Sequence, residues 1–268
     1  MALKDITLGQ YFPGNSFIHQ LDPRTKLLFT VLYIVGLFSA KRLPSYLLLM
    51  AVLAVCIQIS RVRLKTILRG MKPILFIIVL TAILNLFYTP GDPIWQWKFL
   101  KITVEGIWAA IYMVLRISML ITCTFLLTYT TSPILLTDGL EKLLGPLKKL
   151  RVPVHELSMM MSIALRFIPT LIEETDKIMS AQKARGADFD TGNLFQKARA
   201  LVPLLVPLFI SAFRRADELA IAMECRCYHG GEGRTRLRQL IFVRRDYLAL
   251  AGSIFMVAAV YVLRYLGW

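Results

Sequence analysis

Two stretches of this 268-residue sequence have the residue types for surface chemistry: "IMSAQKARGADFD" at 178–190 and "LAIAMECRCYHGG" at 219–231. Each closes an amphipathic run with a single arginine, Arg185 or Arg226, set between small residues. Ile168, Leu171, Ile172, Thr175, Ile178 and Met179 recur at the spacing of one helix face, and Arg185 lies seven residues beyond Ile178 on that stripe. Leu208, Phe209, Ala212, Leu219, Ala220 and Met223 repeat the pattern, with Arg226 seven beyond Leu219. At an offset of 41, Asp176 falls on Asp217, Ala181 on Ala222 and Arg185 on Arg226, which makes a short internal repeat. An arginine near a helix C-terminus is favoured by the macrodipole whatever its face. One in line with an apolar stripe is directed at whatever covers that stripe, and its planar fork suits a carboxylate held bidentately. The stretches therefore read as a pair of docking tips, Ala184, Arg185 and Gly186 in one and Cys225, Arg226 and Cys227 in the other.

Other constellations point away from catalysis. Cys225, Cys227 and His229 have the outline of a metal motif, but no second Cys/His pair completes a tetrahedral site, so no metal is expected. His19, His155 and His229 are scattered and form no hydrolytic set. No G-x-x-x-x-G-K-[ST] phosphate loop occurs, and "GGEGRTR" at 230–236 reads as a flexible link. The chain is expected to be no enzyme and to carry no cofactor of its own.

The elements that must position the tips follow from composition. With 56% hydrophobic residues and a mean hydropathy of +0.59, the chain is an integral membrane protein. Its net charge of +15 is gathered between and after the apolar runs, the mark of a cytoplasmic face, and no basic patch with interleaved aromatics points to nucleic acid. The runs cover 27–40, 46–59, 73–88, about 104–130 and 247–266, with a tight hairpin at Pro44. Arg61, Arg63, Lys65, Arg69 and Lys72 come with no acid and set that segment inside; Trp95 and Trp97, in a Pro/Gly-rich loop, read as interfacial anchors outside. The expected protein is all-α and polytopic: about five transmembrane helices in the cell membrane, a cytoplasmic N-terminus without signal-peptide features, and a cytoplasmic insert of amphipathic helices. Its expected domains are 1–130, 131–245 and 246–268.

Within the insert Ser132 is an N-cap with Pro133 at the first helical position, and Gly145-Pro146 breaks a stripe of Leu136, Leu140, Leu143, Leu144 and Leu147. The stretch 154–169 is nearly apolar all round, but both flanks are basic, which argues against a sixth crossing. His19, Asp22, Pro23 and Arg24 read as a capped turn, with Asp22 paired to Arg24, Lys26 or a distant arginine. Arg116 lies inside the fourth run; an intramembrane charge is costly unless satisfied, so it is expected to face carbonyls or an acid such as Asp138 or Glu141. The methionines Met159, Met160, Met161, Met179 and Met223 suit either a core or an adaptable partner surface.

Four motifs, "SFIHQLDPRTK" at 16–26, "TTSP" at 130–133, "RFIPTLIEETDKIMSAQKARGADF" at 166–189 and "ELAIAMECRCYHGGEGRTR" at 218–236, stand in an order that resembles the transmembrane T component of energy-coupling factor transporters, the EcfT or CbiQ-like family. The resemblance implies a complex of two ABC-type ATPase subunits that bind ATP, this scaffold in the lipid bilayer, and a small membrane substrate-binding (S) component that captures a vitamin or metal ion. It implies that short x-Arg-x motifs dock on the ATPases; here Cys225-Arg226-Cys227 departs from the commoner Ala-Arg-Gly form. Leu140, Leu143, Leu144, Met160, Met161 and Met179 are then candidates for contact with the S component. The alternative is a stand-alone secondary transporter with Arg116 in its pathway. A single midplane cation, no midplane acid and a repeat confined to the insert weigh against it.

Overall fold

The computed structural model describes residues 11–91, 93–97, 100–187, 189, 193–230 and 239–266, with the backbone alone at 93–97, 100–102, 194 and 196–198. The link at 231–236 and the side chains of Trp95 and Trp97 lie outside the described residues. The chain divides into two compact units, one of Gly9–Leu140 with Leu240–Trp268 and the other containing Glu141–Gln239.

The first unit is a membrane bundle. Helix α1 (Pro23–Ser39) begins where Asp22 accepts from Arg24 N and Pro23 occupies the first turn, whose N–H groups have no helical partner in any case. It turns through Ala40 into α2 (Leu43–Ser60), the expected hairpin. The basic segment is itself helical: α3 (Leu64–Met71) buries only Ile67 and passes through a 3-10 turn at Lys72–Ile74 into α4 (Leu75–Tyr88). An antiparallel hairpin of β1 (Pro93–Trp97) and β2 (Leu100–Thr103) stands where the sequence read as loop. Thr103 then caps α5 (Val104–Thr130) by accepting from Gly106 N.

Helix α6 (Pro133–Leu144) starts as expected, with Ser132 Oγ accepting from Leu135 N at 3.4 Å, and a 3-10 turn at Gly145–Leu150 follows it. Within the bundle its buried positions are Thr137 and Gly139, not the leucines; a Cβ on Gly139 would come within 3.0 Å of Pro23 Cβ. The bundle closes with α9 (Arg244–Tyr265). Leu43–Ser60, Leu64–Tyr88, Val104–Thr130 and Arg244–Tyr265 are long and apolar enough to cross a bilayer. Among the described residues these four meet that length and hydropathy, and the 17-residue α1, about 25 Å at 1.5 Å per residue, is shorter and is not among them.

The core of the bundle lies among α1, α2, α5 and α9, where Tyr33, Leu37, Leu49, Cys123 and Val260 are almost wholly buried. Most of α4 is outward-facing, with Ile78 its one buried residue and Phe76 74% exposed, as suits a helix whose solvent is lipid. At 27 residues α5 is about 40 Å long, beyond the ~30 Å hydrocarbon thickness, so it overshoots the α1–α2 turn that meets it near its middle.

The second unit takes in the last turn of α6, the 3-10 turn after it and two 31-residue helices, α7 (Val154–Ala184) and α8 (Leu194–Glu224). Neither is among the helices apolar enough to span a bilayer. Pro169 in α7 and Pro203 and Pro207 in α8 each remove one backbone donor from the helical ladder.

Candidate functional site

α7 and α8 run antiparallel. Tyr228 Oη donates to Met159 Sδ at 3.2 Å, while Arg215 Nη2 donates to Glu174 Oε2 at 2.8 Å and Ser211 Oγ bonds Glu174 Oε1, so residue numbers rise on one helix as they fall on the other. Between these contacts Ile163, Phe167 and Leu171 face Ala212, Leu219 and Met223 across a space of about 320 Å³. The Ser211 hydroxyl and then the Arg215 guanidinium lower the Glu174 carboxyl from its ordinary value, which favours the charged form of this cross-link.

The register of that cross-link matters most. Glu174 and Arg215 are 41 residues apart, the offset of the internal repeat, so each is the other's counterpart. Two antiparallel copies that touch at equivalent positions are related by an approximate two-fold axis through the contact. Each arginine tip lies 11 residues beyond it, about 16 Å along its own helix at 1.5 Å per residue, in opposite directions.

Both tips have the same backbone. At the end of α7, Ala187 N donates to Gln182 O at 3.0 Å and Gly186 N to Lys183 O at 3.0 Å. At the end of α8, Tyr228 N donates to Met223 O at 3.1 Å and Cys227 N to Glu224 O at 2.8 Å. Each pair of bonds is a Schellman cap, with the arginine at the cap residue and the next residue in the left-handed region. That residue is Gly186 at φ 87° in the first tip and Cys227 at φ 54° in the second. Ala184, Arg185, Gly186, Cys225, Arg226 and Cys227 are all exposed. Neither guanidinium makes a hydrogen bond or ion pair among the described residues.

The stripes are only partly as drawn from the sequence. Ile168, Leu171, Ile172, Thr175, Ile178 and Met179 are half-buried together, but on α8 Phe209 is 62% exposed while Leu208, Ala212, Leu219 and Met223 are half-buried. Leu201, Leu205, Phe209 and Phe213 extend the apolar surface that α8 leaves open. Of the candidate S-component contacts, Leu140, Leu144, Met160 and Met161 are exposed, and Leu143 and Met179 are partly covered. Glu141 is occupied by His155, whose Nδ1 lies 3.2 Å from its Oε1.

In the bundle, two of the sequence motifs converge. Lys26 Nζ donates to Thr130 O at 2.9 Å, Thr131 Oγ1 at 3.3 Å and His19 O at 3.2 Å, tying the start of α1 to the end of α5. Asp22 pairs with Arg24 at 3.0 Å, and Arg24 also donates to Leu240 O at 2.7 Å and lies over the Phe242 ring. The residue that sequence reasoning missed is Asp246: 2% exposed, it accepts from Asp22 N at 2.8 Å and from Val243 N at 2.9 Å. Burial holds the His19 imidazole below its ordinary value, and its nitrogens are taken up by Ser16 Oγ at 2.6 Å and Phe12 O at 3.0 Å.

Arg116 does not meet either acid proposed for it. Its Nη2 donates to Tyr46 Oη at 2.7 Å and to Ala40 O at 3.4 Å, and its Nε to Tyr46 Oη at 3.1 Å. It therefore fastens the α1–α2 turn to the middle of α5. A tyrosine 70 residues away gave no local signal.

The family model of CbiQ, described as cobalt transport protein, matches residues 14–237. This chain belongs to the CbiQ family. Among its CbiQ-type relatives, the energy-coupling factor transporter transmembrane protein EcfT of Ruminiclostridium cellulolyticum is 53% identical over 263 residues, covering 98% of each chain. The EcfT of Clostridium kluyveri is 57% identical over 249 residues, 92% of each chain. That of Bacillus subtilis (strain 168) is 48% identical over 263 residues, 98% of this chain and 99% of the relative.

Proposed function

We propose that this chain is the transmembrane scaffold of an energy-coupling factor importer. It couples ATP hydrolysis by two ABC-type ATPase subunits to movement of a small substrate-binding S component during uptake of a vitamin or metal ion. The observation that carries the reading is the symmetric pair of helices: two capped arginine tips, equally distant from a cross-link between equivalent residues. A pair of like ATPases closing on ATP presents the same acidic pocket twice, related by a two-fold axis, and two symmetric tips match that demand. Each guanidinium enters one pocket and pairs with a carboxylate. Closure then moves the tips, and the two helices carry the displacement as levers to the membrane. The open apolar faces, with Leu140, Leu143, Leu144, Met160, Met161 and Met179, supply the contact with the S component. Arg116 in this scheme holds a turn, which leaves the stand-alone transporter without its pathway residue. The N-terminus is cytoplasmic, so the tips and the ATPases lie inside.

The test is co-purification of the full chain from its own membranes. Wild type should bring ATPase subunits, and Arg185→Ala/Arg226→Ala should insert normally but lose them. If the double variant retained ATPases in normal amounts, the tips would not be docking groups. For orientation, an impermeant maleimide on intact cells should label Pro90→Cys and leave native Cys225 and Cys227 unreacted; labelling of the native pair from outside would reverse the topology.

A further inference from the structure

Two cavities open side by side in the membrane bundle. The first, about 320 Å³, lies among α1, α2, α5 and α9 and is lined by Phe29, Val52, Ile59, Leu126, Leu127 and Gly252 among others. Its wall is almost wholly apolar, and it sits at the end of the bundle where α1 and α9 begin and α2 and α5 finish. It is open on the α9 side, because a Cβ built on Gly252 meets nothing within 4 Å. Thr25, a further lining residue, carries a buried hydroxyl with no partner among the described residues.

The second cavity, about 390 Å³, is lined by Asn15, His19, Ser60, Arg61, Arg63 and Thr66 among others, and none of its lining residues is an acid. Arg61 and Arg63 are exposed and have no ion-pair partner among the described residues. The two cavities draw their walls from adjacent residues of the same segments. Phe17, Ile18 and Ile59 line the first, while their chain neighbours Ser16, His19 and Ser60 line the second. Both His19 nitrogens already have partners, so the charge available to a ligand is that of the two arginines.

An apolar slot at bilayer depth, ending beside two cations with no acid, matches one kind of molecule. We propose that this is a binding site for a phospholipid of net negative headgroup: an acyl chain fills the slot among α1, α2, α5 and α9, and the headgroup phosphate lies between Arg61 and Arg63. A bound lipid would wedge the α2–α3 turn against the segment before α1, so its loss would loosen the end of the bundle that Lys26 and Asp246 fasten.

The full chain, reconstituted in phosphatidylcholine vesicles, is probed with spin-labelled phosphatidylglycerol or spin-labelled phosphatidylcholine, and the motionally restricted fraction is read from the spectrum. Wild type should restrict phosphatidylglycerol in preference to phosphatidylcholine. Arg61→Gln/Arg63→Gln should lower that preference roughly 30-fold, as expected for two cations at an anionic surface. Gly252→Leu fills the slot from its open side without touching the arginines, and should reduce restriction of both lipids. Millimolar inorganic phosphate should release neither label. Equal restriction of the two lipids by wild type, an unchanged preference in the arginine variant, unchanged restriction in Gly252→Leu, or release by free phosphate would each overturn the assignment.

Discussion

In the membrane bundle, Arg116 lies 2.7 Å from Tyr46 Oη and Arg24 lies 3.0 Å from Asp22, each buried enough to need its partner. At the ends of α7 and α8, Arg185 and Arg226 are fully capped in their backbones, and their side chains are exposed with no partner among the described residues. The contrast separates two uses of one residue. A guanidinium taken out of water must be satisfied within the chain, because an unpaired buried charge costs several kcal/mol. A guanidinium kept in water on a rigid cap costs nothing until a partner covers it, and then it can contribute binding energy to that partner. The cap is what makes this efficient, since the arginine's backbone is already ordered before docking.

The largest expected effect breaks the exposed side of the comparison. Removing one member of a desolvated charge pair costs roughly 2–5 kcal/mol, so Arg185→Glu or Arg226→Glu alone should weaken one ATPase contact by about 30- to several-thousand-fold. Symmetry adds a sharper expectation: the two single reversals should cost the same within about threefold, because the tips are equivalent about the Glu174–Arg215 contact. Affinities measured for purified ATPase on each variant would decide this. A reversal at one tip that leaves binding intact while the other abolishes it would refute the two-fold arrangement. Lysine should rescue poorly at either position, since it lacks the fork.

On the buried side the larger effect belongs to Asp246. Its carboxylate accepts from Asp22 N and Val243 N; alanine would leave the Asp22 N–H buried without a partner, at about 1–3 kcal/mol, and would remove the cap on the exposed Val243 N–H at the start of α9, at about 1 kcal/mol. Asp246→Ala should therefore destabilise the bundle by about 2–4 kcal/mol, seen as a lower midpoint in thermal unfolding of the purified chain. Asp246→Asn keeps one acceptor and should fall between. An alanine variant with a wild-type midpoint would mean that water already serves these groups.

Arg116 sharpens the rule further, because losing the arginine and losing its partner should differ. Tyr46→Phe strands a guanidinium on the weaker 3.4 Å contact with Ala40 O and should cost about 1.5–3 kcal/mol. Arg116→Leu loses the Tyr46 bonds and the Ala40 O contact as well, but it also removes the charge, whose burial at membrane depth carries its own penalty of about 2.5–3.5 kcal/mol, so its net cost should be under about 1 kcal/mol. The same unfolding measurement tests the order. If Arg116→Leu proved the more damaging change, the arginine would be contributing more than a fastened turn.

Much of this arrangement was readable from the chain, and what was not has a physical reason. The five apolar runs, the Asp22–Pro23 start of α1 and the Ser132–Pro133 start of α6 are local signals, set by neighbours in sequence. The repeat and its two arginines were equally local. Asp246 carried no such mark, because its partner Asp22 N is 224 residues away and only the packed bundle brings them together. Arg116 was recognisable as a charge that needed satisfaction, but the choice between an acid and Tyr46 depends on where α5 crosses the α1–α2 turn. The hairpin of β1 and β2 hid behind Pro90, Gly91 and Pro93, which read as loop and in fact bound a short paired segment.

The smallest effect concerns the one residue by which the two tips differ in backbone chemistry. Gly186 and Cys227 both occupy the left-handed position that closes a Schellman cap, where glycine is free and any side chain costs about 1 kcal/mol. A Cβ on Gly186 would meet nothing within 4 Å, so Gly186→Cys carries this conformational cost and no steric one. Exchanging the residues should therefore move stability in opposite directions. Cys227→Gly should slow hydrogen exchange at Cys225 to Tyr228 by about fivefold, and Gly186→Cys should quicken it by about the same factor at Arg185 to Ala187. Docking separates backbone from side chain. If Cys227→Gly tightens the cap and leaves ATPase affinity unchanged, the tips differ only in how they tolerate strain. If it tightens the cap and weakens the affinity, the thiol is itself a contact, and the second tip keeps a strained residue because its partner surface requires it. Unchanged exchange in both variants would remove the premise that the left-handed position is costly here.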